Sequence, residues 1–248
     1  MPNLDLVQKL NCTYHKNSKL SKFKGSLQSI ANSNSFWLEK ALSSSLAELG
    51  PEFTRYFDFG LPAEVALLFI DICNFSTQFS HLNGEEIGEY FDEYYRTVIP
   101  IIYKYGGEVD KIIGDGIVCI FGPPFMCEDF ADCINAANIA AKEIIEKTIK
   151  TKHASKIAFH AGTINYFKNK SGFYNEYTII GKPLTELFRL ESISEANCIN
   201  YFDDSPIREF YKSPLGNINY WSHFGRLIPP GQLQGISYNQ FFRIKYPR

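Results

Sequence analysis

The sequence predicts an α+β fold with a ferredoxin-like split βαβ core, in which helices flank one central, mainly antiparallel sheet. A continuous apolar run at residues 65–70 is typical of a strand that is buried on both faces. A β-hairpin pattern follows at 108–121, and a helix pattern stands on each side of that hairpin. These three observations give the order strand, helix, strand, strand, helix, strand, which defines the split βαβ arrangement.

Each element is assigned from its periodicity and from the residues that break it. A strand is expected at 64–72 and an amphipathic helix at 85–105, with Asn83 as its N-cap. Asp115 and Gly116 are expected to form the type I′ turn of the hairpin, because Asp-Gly is a preferred pair in such turns. The remaining predicted strands are 108–113, 117–121, 156–165, 176–181, 198–202 and 240–246, and the remaining helices are 35–49, 129–149 and 183–193.

Length and composition indicate a globular protein with one main domain. The chain has 248 residues, of which 45% are hydrophobic and 21% charged, so it is long and apolar enough to bury a core. Residues 1–60 are predicted to form a polar, basic N-terminal arm and a helix. Residues 61–248 are predicted to form the main domain, which ends in a β extension.

Charge, hydropathy and cysteine usage argue against several partners and compartments. The formal net charge of -2 gives no reason to expect a nucleic-acid surface. No apolar stretch approaches the roughly 20 residues that span a bilayer, and the N-terminus lacks the apolar core of a secretory signal, so no membrane partner is expected. The six cysteines form no CxxC pair, which favours a reduced, cytoplasmic chain over a disulfide framework.

Two aspartates are the candidate reactive groups, since Asp71 ends the first strand and Asp115 stands at the hairpin tip. We expect the second strand to lie between the first and the third, which would bring both carboxylates to one place. Two carboxylates held close repel each other unless a cation neutralises them or one is protonated. Oxygen ligands without His or Cys favour Mg²⁺ or Mn²⁺ over Zn²⁺. The plain alternative is that Asp115 only forms a turn and Asp71 only ends a strand.

Four motifs give the sequence a family resemblance, and in chain order they read VALLFIDICNFS, GGEVDKIIGDGIVCIFG, IAFHAGTI and EYTIIGKPLTELFRLES. In order and spacing they resemble the catalytic domain of class III nucleotidyl (adenylate/guanylate) cyclases, over about residues 64–194. The resemblance implies conversion of a nucleoside triphosphate substrate into a 3′,5′-cyclic nucleotide and pyrophosphate, through attack of the ribose 3′-hydroxyl on the α-phosphate. It also implies two divalent metal ions, Mn²⁺ or Mg²⁺, as cofactors.

The resemblance assigns roles to the motif residues. Asp71 and Asp115 match the metal-binding aspartates of the family, and the carbonyl of Ile72 adds a ligand. Arg189 matches the arginine that stabilises charge on the α-phosphate in the transition state, and Thr185 stands where the family usually has a ribose-placing asparagine. The backbone N–H groups expected to cradle the triphosphate are those of Cys73, Asn74, Phe75, Ser76 and Thr77.

The resemblance supports two different choices of base. Lys111 and Thr178 match the base-selecting pair of adenylate-type enzymes, which favours ATP. The compact chain and its altered GKPLTELFRLES helix are instead similar to the bacterial pyrimidine cyclases of the Pycsar antiphage system, which make cyclic UMP or CMP. We favour the pyrimidine assignment, with Phe75, Phe188 or a tyrosine filling the space that a smaller base leaves.

The family forms its sites between two domains, so the resemblance implies a homodimer with two equivalent sites at the interface. One chain would supply Asp71 and Asp115 to a site. Its partner would supply Lys111, Thr178 and Arg189 to the same site.

Two other functional classes stay open. A degenerate cyclase domain that binds nucleotide without turnover is favoured by Thr185 and by Asn74, which replaces a glycine usual in the family. A polymerase or diguanylate-cyclase-like enzyme would share the split βαβ core, but the hairpin tip reads IGDG and has no GGDEF-like sequence. His160 lies between apolar strand residues and is expected to be a core histidine and no ligand.

Overall fold

The computed structural model describes residues 51–78, 83–126, 129–168, 177–216 and 221–246. The helix predicted at 35–49 and the basic arm before it lie outside the described residues. The helices are α1 Pro51–Phe59, α2 Phe75–Gln78, α3 Gly84–Lys104, α4 Phe130–Thr148, α5 Lys182–Glu191 and α6 Pro206–Lys212. The strands are β1 Pro62–Ile72, β2 Glu108–Ile113, β3 Gly116–Phe121, β4 Ser155–Lys168, β5 Tyr177–Ile180, β6 Cys198–Phe202, β7 Ser222–Leu227 and β8 Gln240–Lys245.

The strands form one sheet in the order β2-β3-β1-β4-β6-β8-β7, with β5 paired to β4. Strands β4 and β6 are parallel and the other described pairs are antiparallel, which confirms the predicted α+β fold class. Strand β3 pairs with both β1 and β2, so the expectation that the second strand lies between the first and the third is wrong. The short hairpin forces β3 to pair with β2, and the helical crossover leaves a place beside β1 that β3 fills.

Strand β1 is central, and both of its faces are buried, as its continuous apolar run predicts. One face packs against α3 and α4, and the other packs against α5. Burial of one aliphatic side chain stabilises a fold by about 1.5–3 kcal/mol, so this strand is a rigid support for the residue at its end. The buried side chains are Ala66, Leu68 and Ile70 on the first face and Val65, Leu67 and Phe69 on the second.

Helix α3 begins at its predicted cap. Oδ1 of Asn83 accepts hydrogen bonds from the backbone N–H groups of Glu85 and Glu86, both at 3.0 Å. A carboxylate oxygen of Glu86 accepts in return from the N–H of Asn83 at 2.9 Å. This capping box satisfies N–H groups that the helix itself leaves without partners, and the predicted N-cap is confirmed.

The turn of the β2–β3 hairpin consists of Gly114 and Asp115, because Ile113 pairs with Gly116 across the hairpin. Gly114 has a φ of +61°, whereas Asp115 is not among the residues with positive φ. A type I′ turn needs positive φ at both central residues, so the predicted Asp115-Gly116 type I′ turn is wrong. Glycine at the first central position is typical of a type II′ turn, and this turn still places Asp115 at the hairpin tip.

Four elements, α1, α2, α6 and β7, were not among the predicted helices and strands. The start of α6 carries a signal that could have found it, because Ser205 accepts a hydrogen bond from the N–H of Arg208 and Pro206 opens the helix. Strand β7 is an exposed edge strand with little apolar patterning. No described helix is both long and apolar enough to cross a membrane. The described free cysteines are all buried, and they are Cys73, Cys119, Cys133 and Cys198.

Candidate active site

The carboxylates of Asp71 and Asp115 lie at one end of the sheet, where β1 ends and the hairpin turns. Ile70 pairs with Ile117 in the antiparallel β1–β3 ladder, so Asp71 comes one residue after this pair and Asp115 comes two residues before it, at the same end of the ladder. Burial, and after it the nearby charge of Asp115, raises the pKa of the Asp71 carboxyl, against the opposing charge of Lys156. The structure therefore brings the two aspartates into direct electrostatic contact.

A divalent cation fits this carboxylate pair. The described residues contain no group of three or more His, Cys, Asp or Glu side chains that could hold a metal ion. The pair would thus be supplemented by other oxygens, for which the carbonyl of Ile72 is a candidate. Mg²⁺ is often held by one or two carboxylates, with water and substrate phosphates completing its shell. A bound cation would offset the repulsion that raises the pKa of Asp71.

The loop after β1, predicted to cradle a triphosphate, has part of its backbone already engaged. Cys73 donates its N–H to the carbonyl of Ala154 at 2.7 Å, and Thr77 donates its N–H to the carbonyl of Asn74 at 3.2 Å. The N–H groups of Cys73 and Thr77 therefore have partners within the protein. The remaining candidate donors are the N–H groups of residues 74–76, at the start of α2.

Asn74 makes a left-handed turn in this loop, with a φ of +58°. Glycine enters this region freely, and asparagine enters it more readily than most other residues. Asparagine in place of the usual glycine is therefore compatible with a left-handed backbone at this position.

The two aromatic residues considered as fillers of a base pocket both pack within the domain. The ring of Phe75 lies 5.8 Å from that of Tyr90 and 5.0 Å from that of Phe91. The ring of Phe188 is edge-on to that of Phe69 at 5.2 Å. Phe75 is partly buried against the core on one face of the sheet, and Phe188 is partly buried against the core on the other face.

Lys111 and Thr178 come together across β2 and β5, with Asp110 beside them. Nζ of Lys111 donates to Oγ1 of Thr178 at 2.9 Å and lies 2.9 Å from Oδ2 of Asp110. The register of β2 shifts between Val109 and Lys111, so a β-bulge accompanies this arrangement. An ammonium, a hydroxyl and a carboxylate in contact offer both donors and acceptors to the edge of a base. Asp110 was not predicted as a site residue, because its contact with Lys111 accompanies a β-bulge that the sequence does not reveal.

Thr185 and Arg189 lie one turn apart on α5, and both are exposed. Their spacing places them on one face of the helix. Within the described residues, no hydrogen bond or ion pair joins the side chain of Arg189 to Asp71 or Asp115. The guanidinium of Arg189 is therefore accessible to solvent.

Lys156 is a site residue that sequence reasoning missed. It pairs directly with Asp71 in the β1–β4 ladder, and its Nζ lies 3.2 Å from Oδ2 of Asp71 and 2.6 Å from Oε1 of Glu191. Burial lowers the pKa of the Lys156 ammonium, but the hydrogen bonds and charges of Glu191 and Asp71 raise it by more. The net effect is a raised pKa. The signal that could have found Lys156 is its place at the start of the predicted strand 156–165, which in the structure runs beside β1.

His160 is a core residue, as predicted, with 1% of its surface exposed. Its Nε2 lies 2.9 Å from Oε2 of the buried Glu186, and its ring packs edge-on against Phe202 and Tyr238.

Known proteins share the sequence pattern and the fold of this chain. The family model of the adenylate and guanylate cyclase catalytic domain matches residues 61–200. The guanylate cyclase domain of RhGC from Catenaria anguillulae, in complex with GTP, is 19% identical with a TM-score of 0.61, covering 76% of this chain and 100% of that chain. The adenylyl cyclase CyaB from P. aeruginosa is 21% identical with a TM-score of 0.59, covering 76% of this chain and 96% of that one.

A third solved structure shares the same fold. It is the catalytic core of a rhodopsin-guanylyl cyclase with converted specificity, in complex with ATPalphaS. This protein is 20% identical with a TM-score of 0.61, covering 75% of this chain and 98% of that chain. The family match spans more than half of the 248 residues and includes all four sequence motifs. The chain therefore belongs to the family of adenylate and guanylate cyclase catalytic domains and is a nucleotidyl cyclase domain.

Proposed function

We propose that this domain converts a pyrimidine nucleoside triphosphate, UTP or CTP, into its 3′,5′-cyclic monophosphate and pyrophosphate, in bacterial antiphage signalling in the cytoplasm. The observation that carries the cyclase chemistry is the contact between Asp71 and Asp115, because two half-buried carboxylates side by side attract a divalent cation. In the reaction, a bond forms between the ribose 3′-oxygen and the α-phosphorus. The bond from that phosphorus to the pyrophosphate oxygen breaks, and the hydroxyl proton passes to solvent.

Asp71, Asp115 and the carbonyl of Ile72 would hold two divalent ions, Mn²⁺ or Mg²⁺. When bound, such ions favour ionisation of the attacking hydroxyl and offset charge on the leaving pyrophosphate. The work of the chain is to position these carboxylates, and β1 does so by being buried on both faces. Positioning and charge stabilisation account for most of the catalysis in phosphoryl transfer.

Arg189 and Thr185 would act on the substrate from the exposed face of α5. The guanidinium of Arg189 presents several donors in a planar fork, which suits an α-phosphate that gains negative charge in the transition state. The hydroxyl of Thr185, one turn earlier, would donate a hydrogen bond to the ribose. Threonine has a shorter side chain than the asparagine usual at this position.

A homodimer would complete the site. Asp71 lies near the end of β1 and Asp115 lies at the tip of the β2–β3 hairpin, whereas Lys111 on β2 forms a hydrogen bond with Thr178 on β5. The exposed Arg189 contacts neither aspartate within the described part of the chain. These separate groups support a site in which one chain supplies the carboxylates and its partner supplies the base-binding and phosphate-binding residues.

ATP is the second candidate substrate. The preformed hydrogen bond between Lys111 and Thr178 favours it, because these residues match the base-selecting pair of adenylate-type enzymes. The pyrimidine choice is supported by the similarity of the altered helix to pyrimidine cyclases. The solved catalytic core with converted specificity indicates that base choice can change while the fold is kept.

The test is incubation of the full chain with ATP, GTP, CTP and UTP plus Mn²⁺, with cyclic monophosphates identified by mass spectrometry. We expect cyclic UMP or cyclic CMP, and we expect Asp115→Asn to reduce product by about 100-fold or more because one of two charged ligands is lost. Asp132→Asn is the matched control, since Asp132 is an exposed carboxylate on α4, and it should leave the rate unchanged.

The product decides between the candidates. Cyclic AMP as the main product would replace the pyrimidine proposal with an adenylate cyclase. Absence of product from all four nucleotides would overturn the proposed activity and favour a domain that binds nucleotide without turnover.

A further inference from the structure

Lys156 contacts Asp71 directly across the sheet. The two residues are register partners in the β1–β4 ladder, so their side chains lie on one face. Nζ of Lys156 also lies 2.6 Å from Oε1 of Glu191, the last residue of α5. The side chains of Lys156, Asp71 and Glu191 are 23%, 16% and 19% exposed, so water screens these contacts only in part.

The charges around Asp71 are not balanced. Asp71, Asp115 and Glu191 contribute three negative charges, and Lys156 contributes one positive charge. The four side chains together carry a net charge of -2, which favours binding of divalent cations. Among the residues that the structure describes, the ammonium of Lys156 is the positive group that touches Asp71.

We infer that Lys156 is the resident counter-cation of Asp71 and competes with the divalent cation for its carboxylate. This inference rests on the proposed metal-dependent function. Lys156 occupies an oxygen of Asp71 and repels an incoming cation, so it lowers the affinity of the pair for metal. It also keeps the metal-free carboxylates from destabilising the fold through their repulsion.

Glu191 gives the ammonium a second partner. The contact of Lys156 with Glu191 is shorter than its contact with Asp71, at 2.6 Å against 3.2 Å. When a cation takes the oxygen of Asp71, Lys156 keeps a carboxylate partner and no half-buried charge is left unpaired. Glu191 is therefore a positioning residue that acts on the metal site through Lys156.

The test measures binding of Mn²⁺ alone to the full chain, by the electron paramagnetic resonance signal of free Mn²⁺, without nucleotide. Wild type should bind Mn²⁺, and Asp71→Asn should lose this binding. Lys156→Met should bind Mn²⁺ about tenfold more tightly, because a competing charge is removed. Lys182→Met is the matched control, since Lys182 is an exposed lysine on the same helix as Glu191, and it should change the affinity by less than about twofold.

Glu191→Gln should have the opposite effect. Without Glu191, Lys156 interacts with the carboxylate of Asp71 alone. Mn²⁺ should therefore bind at least about threefold more weakly than in wild type. In the Lys156→Met background, the same Glu191→Gln change should have a smaller effect, because Glu191 acts through the lysine. The midpoint of thermal unfolding should also rise more with Mn²⁺ in Lys156→Met than in wild type.

Two kinds of failure are distinguishable. If wild type does not bind Mn²⁺, or if Asp71→Asn binds it equally well, both the proposed metal-dependent function and this inference fall. If Asp71→Asn loses binding but Lys156→Met binds no more tightly than wild type, only the role of Lys156 is overturned. Should Lys156→Met not fold, Glu191→Gln decides alone, and unchanged or tighter binding would contradict the inference.

Discussion

His223 lies in an aromatic cluster beside α6. Its Nδ1 is 3.0 Å from the hydroxyl of Tyr201, and its ring centre is 4.9 Å from that of Tyr211. Burial, followed by the positive charges of Lys142 and Arg208, lowers the pKa of His223 to about 4. The imidazole is therefore neutral at pH 7, and its Nδ1 forms a hydrogen bond with the hydroxyl of Tyr201.

The first prediction concerns acid stability. The folded pKa of His223 is about 4 and the ordinary value is 6.5, so the unfolded chain takes up the proton first as pH falls. The stability that the neutral ring contributes is present above pH 6.5 and is lost as pH falls towards 4. His223→Gln should cost about 1–2 kcal/mol at pH 7, and this deficit should shrink at pH 4.5. The free energy of unfolding of both proteins is measured by urea titration at pH 7, 5.5 and 4.5. A deficit that does not change with pH would contradict this prediction.

At the scale of elements, the β2–β3 hairpin is held against β1 by close packing at Gly116. An added Cβ at Gly116 would lie 2.3 Å from Cε2 of Phe69 and 3.3 Å from the carbonyl oxygen of Ile113. Phe69 is fixed in turn by its edge-on contact with Phe188 of α5. The position of Asp115 at the hairpin tip thus depends on a glycine one residue away.

The second prediction is that Gly116→Ala destabilises the fold by about 1–3 kcal/mol, because the ring of Phe69 must shift to admit a methyl group. It should also lower cyclase activity, since the hairpin that carries Asp115 moves with it. Gly88→Ala is the control, because a Cβ at Gly88 meets nothing within 4 Å and alanine favours the helix interior. Thermal unfolding and product formation are measured together, and a Gly116→Ala protein with wild-type values for both would refute the packing argument.

At the scale of the whole molecule, exposed apolar side chains surround the base-selecting residues. Phe167, directly opposite Thr178 on β4, is 43% exposed, and Ile180 is 49% exposed. Ile113, at the end of β2, is 42% exposed. This apolar surface next to Lys111 supports the proposal that a second copy of the chain covers it.

The third prediction tests that arrangement. Asp115→Asn and Arg189→Ala should each be inactive alone, because each breaks both sites of a homodimer. Mixed in equal amounts, they should recover up to about a quarter of wild-type activity, since half of the dimers are mixed and each mixed dimer has one intact site. Product formation is followed after mixing and subunit exchange. No recovery, while size measurements show mixed dimers, would mean that each site is built from one chain.

The cyclase assignment could be predicted from sequence because its signals are local. An apolar strand that ends in Asp71, a hairpin with Asp115 at its tip and a cap at Asn83 are each written in a few consecutive residues. Burial of β1 on both faces followed from its unbroken apolar run, and the mainly antiparallel sheet followed from the order of the elements. These features depend on periodicity and on short motifs, which a single sequence displays directly.

The tertiary structure decided what depends on register and on distant contacts. Strand pairing places the hairpin turn at Gly114 and Asp115, one residue before the predicted turn. It also places β3 between β1 and β2. The contact of Lys156 with Asp71 joins residues 85 positions apart, and only the β1–β4 register makes them neighbours. A change of one residue in that register would turn every side chain of a strand to the other face. Sequence therefore determined the chemistry of this site, and the folded sheet determined which charges meet there.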